Sequence, residues 1–191
     1  MSSGAHDVRY ALAEYLSFEA SSNVKHEFLA GEIFAMAGGT PEHAALAAAL
    51  LGQLYAQLRG KRCRAYDADL RIRVRATDLL TYPDVTIVCG PIERDSDDPM
   101  AAVNPKLIVE VLSDSAERYD RGAKFEHYKR LPTLDQYVLV SHRERRVDVW
   151  TRADDGWTCA TAGDGERAVL GSIAAEIHVG ELYDEATEPR A

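Results

Sequence analysis

Two acidic residues lie inside segments that otherwise have the composition of buried strands. Asp84 begins the run Asp-Val-Thr-Ile-Val-Cys, and Glu110 lies in Leu-Ile-Val-Glu-Val-Leu. An ionised carboxylate in a buried strand is costly unless a cation compensates its charge. If the two strands are neighbours, both acids can face one cavity, where their oxygens would bind Mg²⁺ or Mn²⁺. The alternative is that both are structural acids, held in salt bridges or at helix N-termini.

A lysine follows these acids on the next predicted helix. Asp120, Lys124 and Tyr128 are four residues apart, so the three side chains share one helix face. A lysine ammonium beside two acids and a metal could hold an attacking water or stabilise negative charge on a phosphate. The alternative is an ordinary salt bridge between Asp120 and Lys124 on a solvated face.

The elements that must position these residues follow from periodicity and from turn signals. Helices are predicted over 8–20, from an N-cap at Thr40 to about Arg59, and over 119–130. A hairpin turning at Ala30-Gly31 is predicted over 25–36. Further strands are predicted over 62–67, 70–75, 83–89, 106–112, 136–141, 146–151 and 157–161. This order predicts a mixed α+β fold with an N-terminal helix and hairpin, rather than a βαβ repeat.

Composition limits the remaining classes of protein. The 191 residues suit a single domain over 1–191, and no apolar run is long enough for a membrane span. The net charge of −9 argues against a broad electrostatic grip on nucleic acid, although a local basic groove would still be compatible with it. Three cysteines without a CxxC pair argue against a disulfide framework or a zinc site. Together with the lack of a secretory signal, they predict a cytoplasmic protein.

Several catalytic signatures are missing from the chain. It contains no GxxxxGK[ST] loop, no GxGxxG, no GxSxG and no HExxH, and its six histidines form no pair at metal-ligand spacing on one element. Nucleotide-driven, serine-hydrolase and zincin chemistry are therefore disfavoured.

Four short motifs occur in order along the chain: Tyr-Pro-Asp-Val (82–85), Glu-Val-Leu-Ser (110–113), Tyr-Asp-Arg-Gly-Ala-Lys-Phe (119–125) and Tyr-Val-Leu-Val (137–140). This ordered set resembles the Uma-two family of endonuclease-like proteins, which belongs to the PD-(D/E)XK restriction-endonuclease-like superfamily. With weaker similarities upstream and downstream, the resemblance covers about 8–184.

The resemblance implies a sheet flanked by helices, with Asp84 and Glu110 as ligands of Mg²⁺ or Mn²⁺ and Lys124 as the superfamily's catalytic lysine. The chain departs from the superfamily pattern in two places. The lysine position of (D/E)XK holds Leu112, so the lysine role falls on Lys124 in the following helix. Asp114 stands between two serines, where relatives often carry proline, and adds a negative charge near the site.

Other residues are weaker candidates for the site. By resemblance Glu27 lies at the functional end of the hairpin, and His43 lies at the start of the second helix. Together with Asp114 they are accessory candidates. Arg71, Arg73 and Arg75 alternate along one strand face and could contact phosphates beside the cleft, although such rows more often form a solvated face.

Three functional hypotheses follow. The first is a metal-dependent endonuclease that hydrolyses phosphodiester bonds in nucleic acid, with DNA as the expected partner and a homodimer as the expected assembly. The second is an inactive or weakly active binding or regulatory module on the same fold, which the acidic balance favours. The third is a metal-dependent hydrolase of a smaller phosphate ester.

Overall fold

The computed structural model describes residues 8–36 and 38–186. Within that part of the chain the architecture is mixed α+β, as predicted, with sheets of five, six and two strands flanked by helices. The α-helices are α1 (Leu12–Ser21), α2 (Pro41–Leu58), α3 (Glu117–Tyr119), α4 (Phe125–Tyr128) and α5 (Val179–Ala186). A π-helical turn, Asp120–Lys124, joins α3 to α4, and residues 117–128 are together called the site helix.

The strands are short and are numbered in chain order. They are β1 (His26–Leu29), β2 (Glu32–Ala35), β3 (Cys63–Tyr66), β4 (Arg71–Val74), β5 (Leu79–Thr81), β6 (Val85–Cys89), β7 (Ala101–Ala102), β8 (Leu107–Val111), β9 (Gln136–Val140), β10 (Arg146–Ala153), β11 (Gly156–Gly163), β12 (Arg167–Leu170) and β13 (Ala175–His178).

The six-stranded sheet, in the order β11-β10-β9-β8-β6-β3, has a different core on each face. Along β8, Val109 and Val111 pack in the cluster that contains the leucines of α2, whereas Ile108 belongs to the cluster that contains the aromatic residues of the site helix. Strand alternation therefore turns Glu110 toward the site helix. Because β6 and β8 are antiparallel neighbours with Val85 opposite Val109, Asp84 lies beside Glu110 in the register.

The hairpin of β1 and β2 belongs to the five-stranded sheet, in the order β2-β1-β5-β4-β7. Its two-residue turn, Ala30 (φ 48°) and Gly31 (φ 95°), has the positive φ angles that tight hairpin turns require. The predicted turn is therefore confirmed. Glu27 lies in β1 directly opposite Phe34 in β2, so both side chains extend from one face of the hairpin.

Helix α2 begins as its sequence predicts. Thr40 accepts a hydrogen bond from the backbone N–H of His43 at 3.3 Å, and Pro41 occupies the first turn, where its missing N–H costs nothing. Leu46, Leu50, Leu54 and Leu58 form its buried stripe. The cap fixes the first turn of α2, and His43 lies in that turn.

Other parts of the fold differ from the prediction. Helix α1 begins at Leu12 rather than at residue 8, and the site helix covers 117–128 rather than 119–130. The strands β5, β7, β12 and β13 and the C-terminal helix α5 were not predicted. No helix in the described ranges is long and apolar enough to cross a membrane.

A disulfide joins Cys63 to Cys89, which the cysteine pattern had argued against. The two cysteines are separated by 26 residues but lie directly opposite each other on β3 and β6. The pairing follows from the strand register, which no local cysteine motif reports. Cys159 is free and exposed. The cysteine argument for a reducing compartment therefore no longer holds.

Candidate functional site

The ammonium group of Lys124 lies at the centre of a cluster of carboxylates. Its Nζ atom is 3.0 Å from Glu110 Oε1, 3.1 Å from Glu27 Oε1 and 3.6 Å from Asp120 Oδ1. The Lys124 side chain is only 7 % exposed. Burial opposes the charge on Lys124, but the three carboxylates outweigh burial and raise its pKa well above the ordinary value. Lys124 is therefore a charged donor and not a base.

Glu110 occupies the position opposite the site helix that strand alternation predicts. Its Oε1 atom accepts a hydrogen bond from the Tyr128 hydroxyl at 2.7 Å, in addition to its contact with Lys124. Burial raises the pKa of Glu110; Lys124 opposes the rise, and the charges of Asp120 and Asp84 add to it. In the absence of a further cation, Glu110 therefore favours its protonated form at neutral pH, and a second cation would favour the carboxylate.

Asp84 is held from two directions. Its Oδ2 atom accepts a hydrogen bond from the backbone N–H of Val111 at 2.7 Å and lies 3.3 Å from His43 Nε2. The hydrogen bond to Asp84 raises the pKa of His43 against the effect of burial. Both contacts fall on one oxygen, and no described residue donates a hydrogen bond to Oδ1. His43 thus links the capped start of α2 to the acid at the start of β6.

Glu27 brings a carboxylate from the other sheet. The Thr81 hydroxyl, on the neighbouring strand β5, donates a hydrogen bond to Glu27 Oε1, the same oxygen that contacts Lys124. The resemblance named Glu27 as an accessory residue, and the structure places it in direct contact with the lysine. The site is therefore assembled across both large sheets.

The π-helical turn of the site helix carries both Asp120 and Lys124. Asp120 is 3 % exposed, and its Oδ1 atom has no hydrogen-bond partner in the described structure. Burial raises the pKa of Asp120, Lys124 opposes the rise, and Glu27 and Asp84 add to it. Widened helical turns of this kind are frequent at functional sites, and here the turn directs an acid and the lysine into the same interior.

These groups line a cleft of about 400 Å³. Its acidic floor is formed by Glu27, Asp84, Glu110 and Asp120. Asp84 and Glu110 each keep one carboxylate oxygen to which no described residue donates a hydrogen bond, and hard oxygen donors of this kind suit Mg²⁺ or Mn²⁺. The donor set therefore fits a divalent metal held by two carboxylates.

The same residues do not make a closed metal cage. Among the described residues, no group of three or more histidine, cysteine or acidic side chains is gathered closely enough to hold a metal ion. Mg²⁺ commonly binds one or two carboxylates and retains several waters, so this open arrangement remains compatible with it. It is incompatible with a structural zinc site.

Asp114, the third accessory candidate, lies on the rim of the cleft. Its side chain is 79 % exposed, and its Oδ1 atom accepts hydrogen bonds from Arg143 Nη2 at 2.5 Å and from His142 at 2.9 Å. Bonds from these two groups hold the pKa of Asp114 below its ordinary value. The extra acid is thus paired at the rim rather than pointing at Lys124.

The three arginines proposed as phosphate contacts are all paired with acids. Arg71 Nη1 is 2.6 Å from Asp98 Oδ2, Arg75 Nε is 2.5 Å from Asp95 Oδ2, and Arg73 is bonded to Asp78. None of the three lines the cleft. Arg73 is buried, and each of the three guanidinium groups is bonded to an acid rather than directed into the cleft.

Sequence reasoning missed the supporting contacts of the site. Asp120 was interpreted only as a salt-bridge partner, and Thr81 was not considered. The Thr81 contact depends on β5, a strand of three residues that has no turn signal of its own. The position of Tyr128 on the lysine face was the one available signal, and the structure places its hydroxyl on Glu110.

The fold is that of the restriction-endonuclease-like class, a mixed sheet flanked by helices. A crystal structure described as "a putative nuclease belonging to DUF820", from Anabaena variabilis, superposes with a TM-score of 0.75. The match covers 93 % of this chain and 99 % of that chain at 17 % identity, so it supports the fold alone. A family model described as "Uma2: Putative restriction endonuclease" matches residues 12–178. The chain belongs to the Uma2 family.

Two relatives come from Synechocystis sp. (strain ATCC 27184 / PCC 6803 / Kazusa). "Uncharacterized protein slr1290" is 37 % identical over 171 residues, covering 89 % of this chain and 89 % of the relative. "Uncharacterized protein sll1609" is 32 % identical over 158 residues, covering 83 % of this chain and 89 % of the relative. The family description points to a nuclease role, and restriction-endonuclease-like nucleases generally use divalent metal ions.

Proposed function

We propose that the chain is a metal-dependent endonuclease that hydrolyses phosphodiester bonds in DNA. The observation that carries the proposal is the position of the Lys124 ammonium, within 3.1 Å of both Glu27 and Glu110 in the cleft that Asp84 also lines. Three acids outnumber the one lysine, so a second cation would favour the ionised forms of the acids that burial otherwise keeps protonated.

Asp84 and Glu110 would hold the metal through the carboxylate oxygens that accept no hydrogen bond from the described part of the chain. When bound, Mg²⁺ or Mn²⁺ polarises the phosphate and lowers the pKa of a bound water. His43 and the Val111 N–H fix the orientation of Asp84, and the Tyr128 hydroxyl fixes Glu110. These supporting contacts keep both carboxylates in place while a substrate enters.

Lys124 would act as a donor throughout the reaction. Asp120 Oδ1 lies beyond hydrogen-bond distance at 3.6 Å, so one ammonium N–H remains available for a water or a phosphate oxygen. In the reaction a water oxygen forms a bond to phosphorus and the bond to the leaving alcohol oxygen breaks, while the proton lost by the water passes through solvent to that leaving oxygen. The fixed positive charge of Lys124 stabilises the negative charge that develops on phosphate.

The experiment is metal-dependent cleavage of plasmid and of single-stranded circular DNA by the wild type, Asp84→Asn and Glu110→Gln. Both substitutions keep side-chain volume, so each should remain folded and lose at least about 100-fold in rate. Glu126→Gln, which alters an exposed acid on α4 with a 69 % exposed side chain, is the matched control and should cleave normally. Full activity of Glu110→Gln would remove Glu110 from the catalytic role.

A nuclease-fold binding or regulatory module is the second candidate. It is favoured by the net charge of −9 and by the acids that occupy Arg71, Arg73 and Arg75. Calorimetric titration with Mn²⁺ distinguishes the two candidates. A nuclease site should bind Mn²⁺ in the wild type and in Glu126→Gln, and lose that binding in Asp84→Asn. A module that keeps its acids for stability would bind none.

A further inference from the structure

The reacting groups of the proposed nuclease lie at the bottom of their cleft. The exposed fractions of the side chains are 5 % for Glu110, 7 % for Lys124, 13 % for Glu27 and 17 % for Asp84. A volume of about 400 Å³ is that of a small-ligand pocket, for which roughly 300–1,000 Å³ is usual. A phosphodiester must therefore enter a recess, which a strand with free flanking bases does more readily than a stiff duplex.

An unpartnered aromatic ring stands at this recess. Phe34 lines the cleft, is 46 % exposed, and lies directly across the hairpin from Glu27. Directly opposed residues of an antiparallel pair have Cβ atoms about 5 Å apart, so Phe34 adjoins Glu27 at the edge of the cleft. Its neighbour Ile33 packs into the core, and no aromatic residue of the described chain stacks on Phe34.

The electrostatics of the cleft favour an additional, apolar contact with a nucleic-acid substrate. Four carboxylates line the floor, while the Lys124 ammonium is already surrounded by three of them. Phosphate attraction alone would therefore hold a strand poorly. Stacking of bases on aromatic side chains supplies affinity that is independent of the backbone charge and of base identity.

We propose that Phe34 stacks on a nucleobase beside the cleaved bond, so that the site prefers single-stranded or locally unpaired nucleic acid over intact duplex. The proposal rests on the proposed nuclease function and specifies its substrate class. A base that is paired within a duplex cannot present its face to Phe34, whereas an unpaired base can. The hairpin thus contributes Glu27 to the chemistry and Phe34 to substrate recognition.

The test measures binding of nucleic-acid probes by fluorescence anisotropy in the presence of Mg²⁺. All variants carry Glu110→Gln, a substitution that is expected to prevent cleavage of the probes. The probes are one labelled 12-nucleotide strand of mixed sequence and the duplex made from it. The single strand should bind at least about tenfold more tightly than the duplex. Phe34→Ala should weaken binding of the single strand by at least about fivefold, while Phe34→Tyr should retain it.

The matched control is Phe18→Ala. Phe18 is also 46 % exposed but lies on α1, where its ring contacts His26 rather than the cleft. The inference is overturned if the duplex binds as tightly as the single strand or more tightly. It is also overturned if Phe34→Ala binds the single strand within twofold of the Glu110→Gln parent. In either case the nuclease proposal stands if the wild type shows metal-dependent cleavage. If neither probe binds and the wild type cleaves no nucleic acid, both proposals fail together.

Discussion

Lys124 and Glu27 come from different parts of the fold and meet with 3.1 Å between Nζ and Oε1. Lys124 lies on the π-helical turn that covers the six-stranded sheet, whereas Glu27 lies on the hairpin of the five-stranded sheet. The same ammonium contacts Glu110 at 3.0 Å. One side chain therefore joins the two sheets and compensates their buried acids at the point where we propose hydrolysis.

Lys124→Met is expected to destabilise the protein as well as to abolish cleavage. The substitution keeps an unbranched side chain but leaves the surrounding carboxylates without their cation, which costs about 3–5 kcal/mol when a buried pair is broken. Urea unfolding at neutral pH measures the loss, and added Mg²⁺ should restore part of it. Lys129→Met, which breaks an exposed pair with Glu126, should cost at most about 1 kcal/mol. Equal unfolding midpoints for the two variants would contradict the prediction.

Gly39→Ala is expected to impair activity while leaving stability nearly unchanged. A Cβ atom at Gly39 would lie 2.7 Å from His43 Nδ1, so the ring must move and its contact with Asp84 is disturbed. Displacements of about 1 Å at a catalytic group can lower rates about 100-fold. Gly38→Ala is the matched control, because a Cβ there meets no atom of the described residues within 4 Å. The measurements are the cleavage rates and the unfolding curves of both variants. Equal cleavage rates for Gly39→Ala and Gly38→Ala would show that the His43 ring does not position Asp84.

The local parts of this fold could be predicted, and the long-range parts could not. The hairpin followed from Ala30-Gly31, the start of α2 from Thr40-Pro41, and the direction of Glu110 from strand alternation. Each of these depends on neighbours in sequence.

The site was predicted in its acids and its lysine, but not in the contacts between them. Glu27 reaches Lys124 only through docking of the two sheets, and Cys63 meets Cys89 only through the strand register. The pairing of Arg71 with Asp98 likewise depends on how the intervening loop folds back. Residue type and spacing carry no direct information about such contacts.

Asp148 is expected to make stability decline at acid pH. Burial opposes its ionisation, but hydrogen bonds from Arg121, Thr161 and Arg146 outweigh burial and lower its pKa. A carboxyl group whose pKa is lower in the folded chain stabilises the fold at pH values above its pKa in the unfolded chain, which is about 3.9 for Asp. That contribution is lost as pH falls through the folded pKa.

Urea unfolding between pH 7 and pH 2 measures this dependence. Asp148→Asn should be less stable than the wild type at neutral pH, and the difference should shrink as the pH falls below about 4. Asp154→Asn, a change at an exposed acid in the turn between β10 and β11, is the control. A constant difference between wild type and Asp148→Asn at all pH values would contradict the assignment.

Removal of the Cys63–Cys89 disulfide is expected to lower the free energy of unfolding by about 3 kcal/mol. The bond closes a loop of 26 residues, and cross-links of that span typically stabilise by about that amount. The Cys63→Ser, Cys89→Ser double variant is compared with the wild type in urea, with and without reductant. Cys159→Ser should behave as the wild type, because Cys159 is free and exposed. If reductant leaves the urea midpoint of the wild type unchanged, the disulfide does not contribute to the free energy of unfolding.

Because Glu27 lies on the five-stranded sheet and Glu110 on the six-stranded sheet, a partly folded chain in which the sheets are not docked has an incomplete site. A newly made polypeptide whose hairpin has not docked holds Asp84 and Glu110 but lacks the Glu27 contact and the Phe34 ring. A chain in which the hairpin is undocked would therefore lack the complete carboxylate cluster around Lys124.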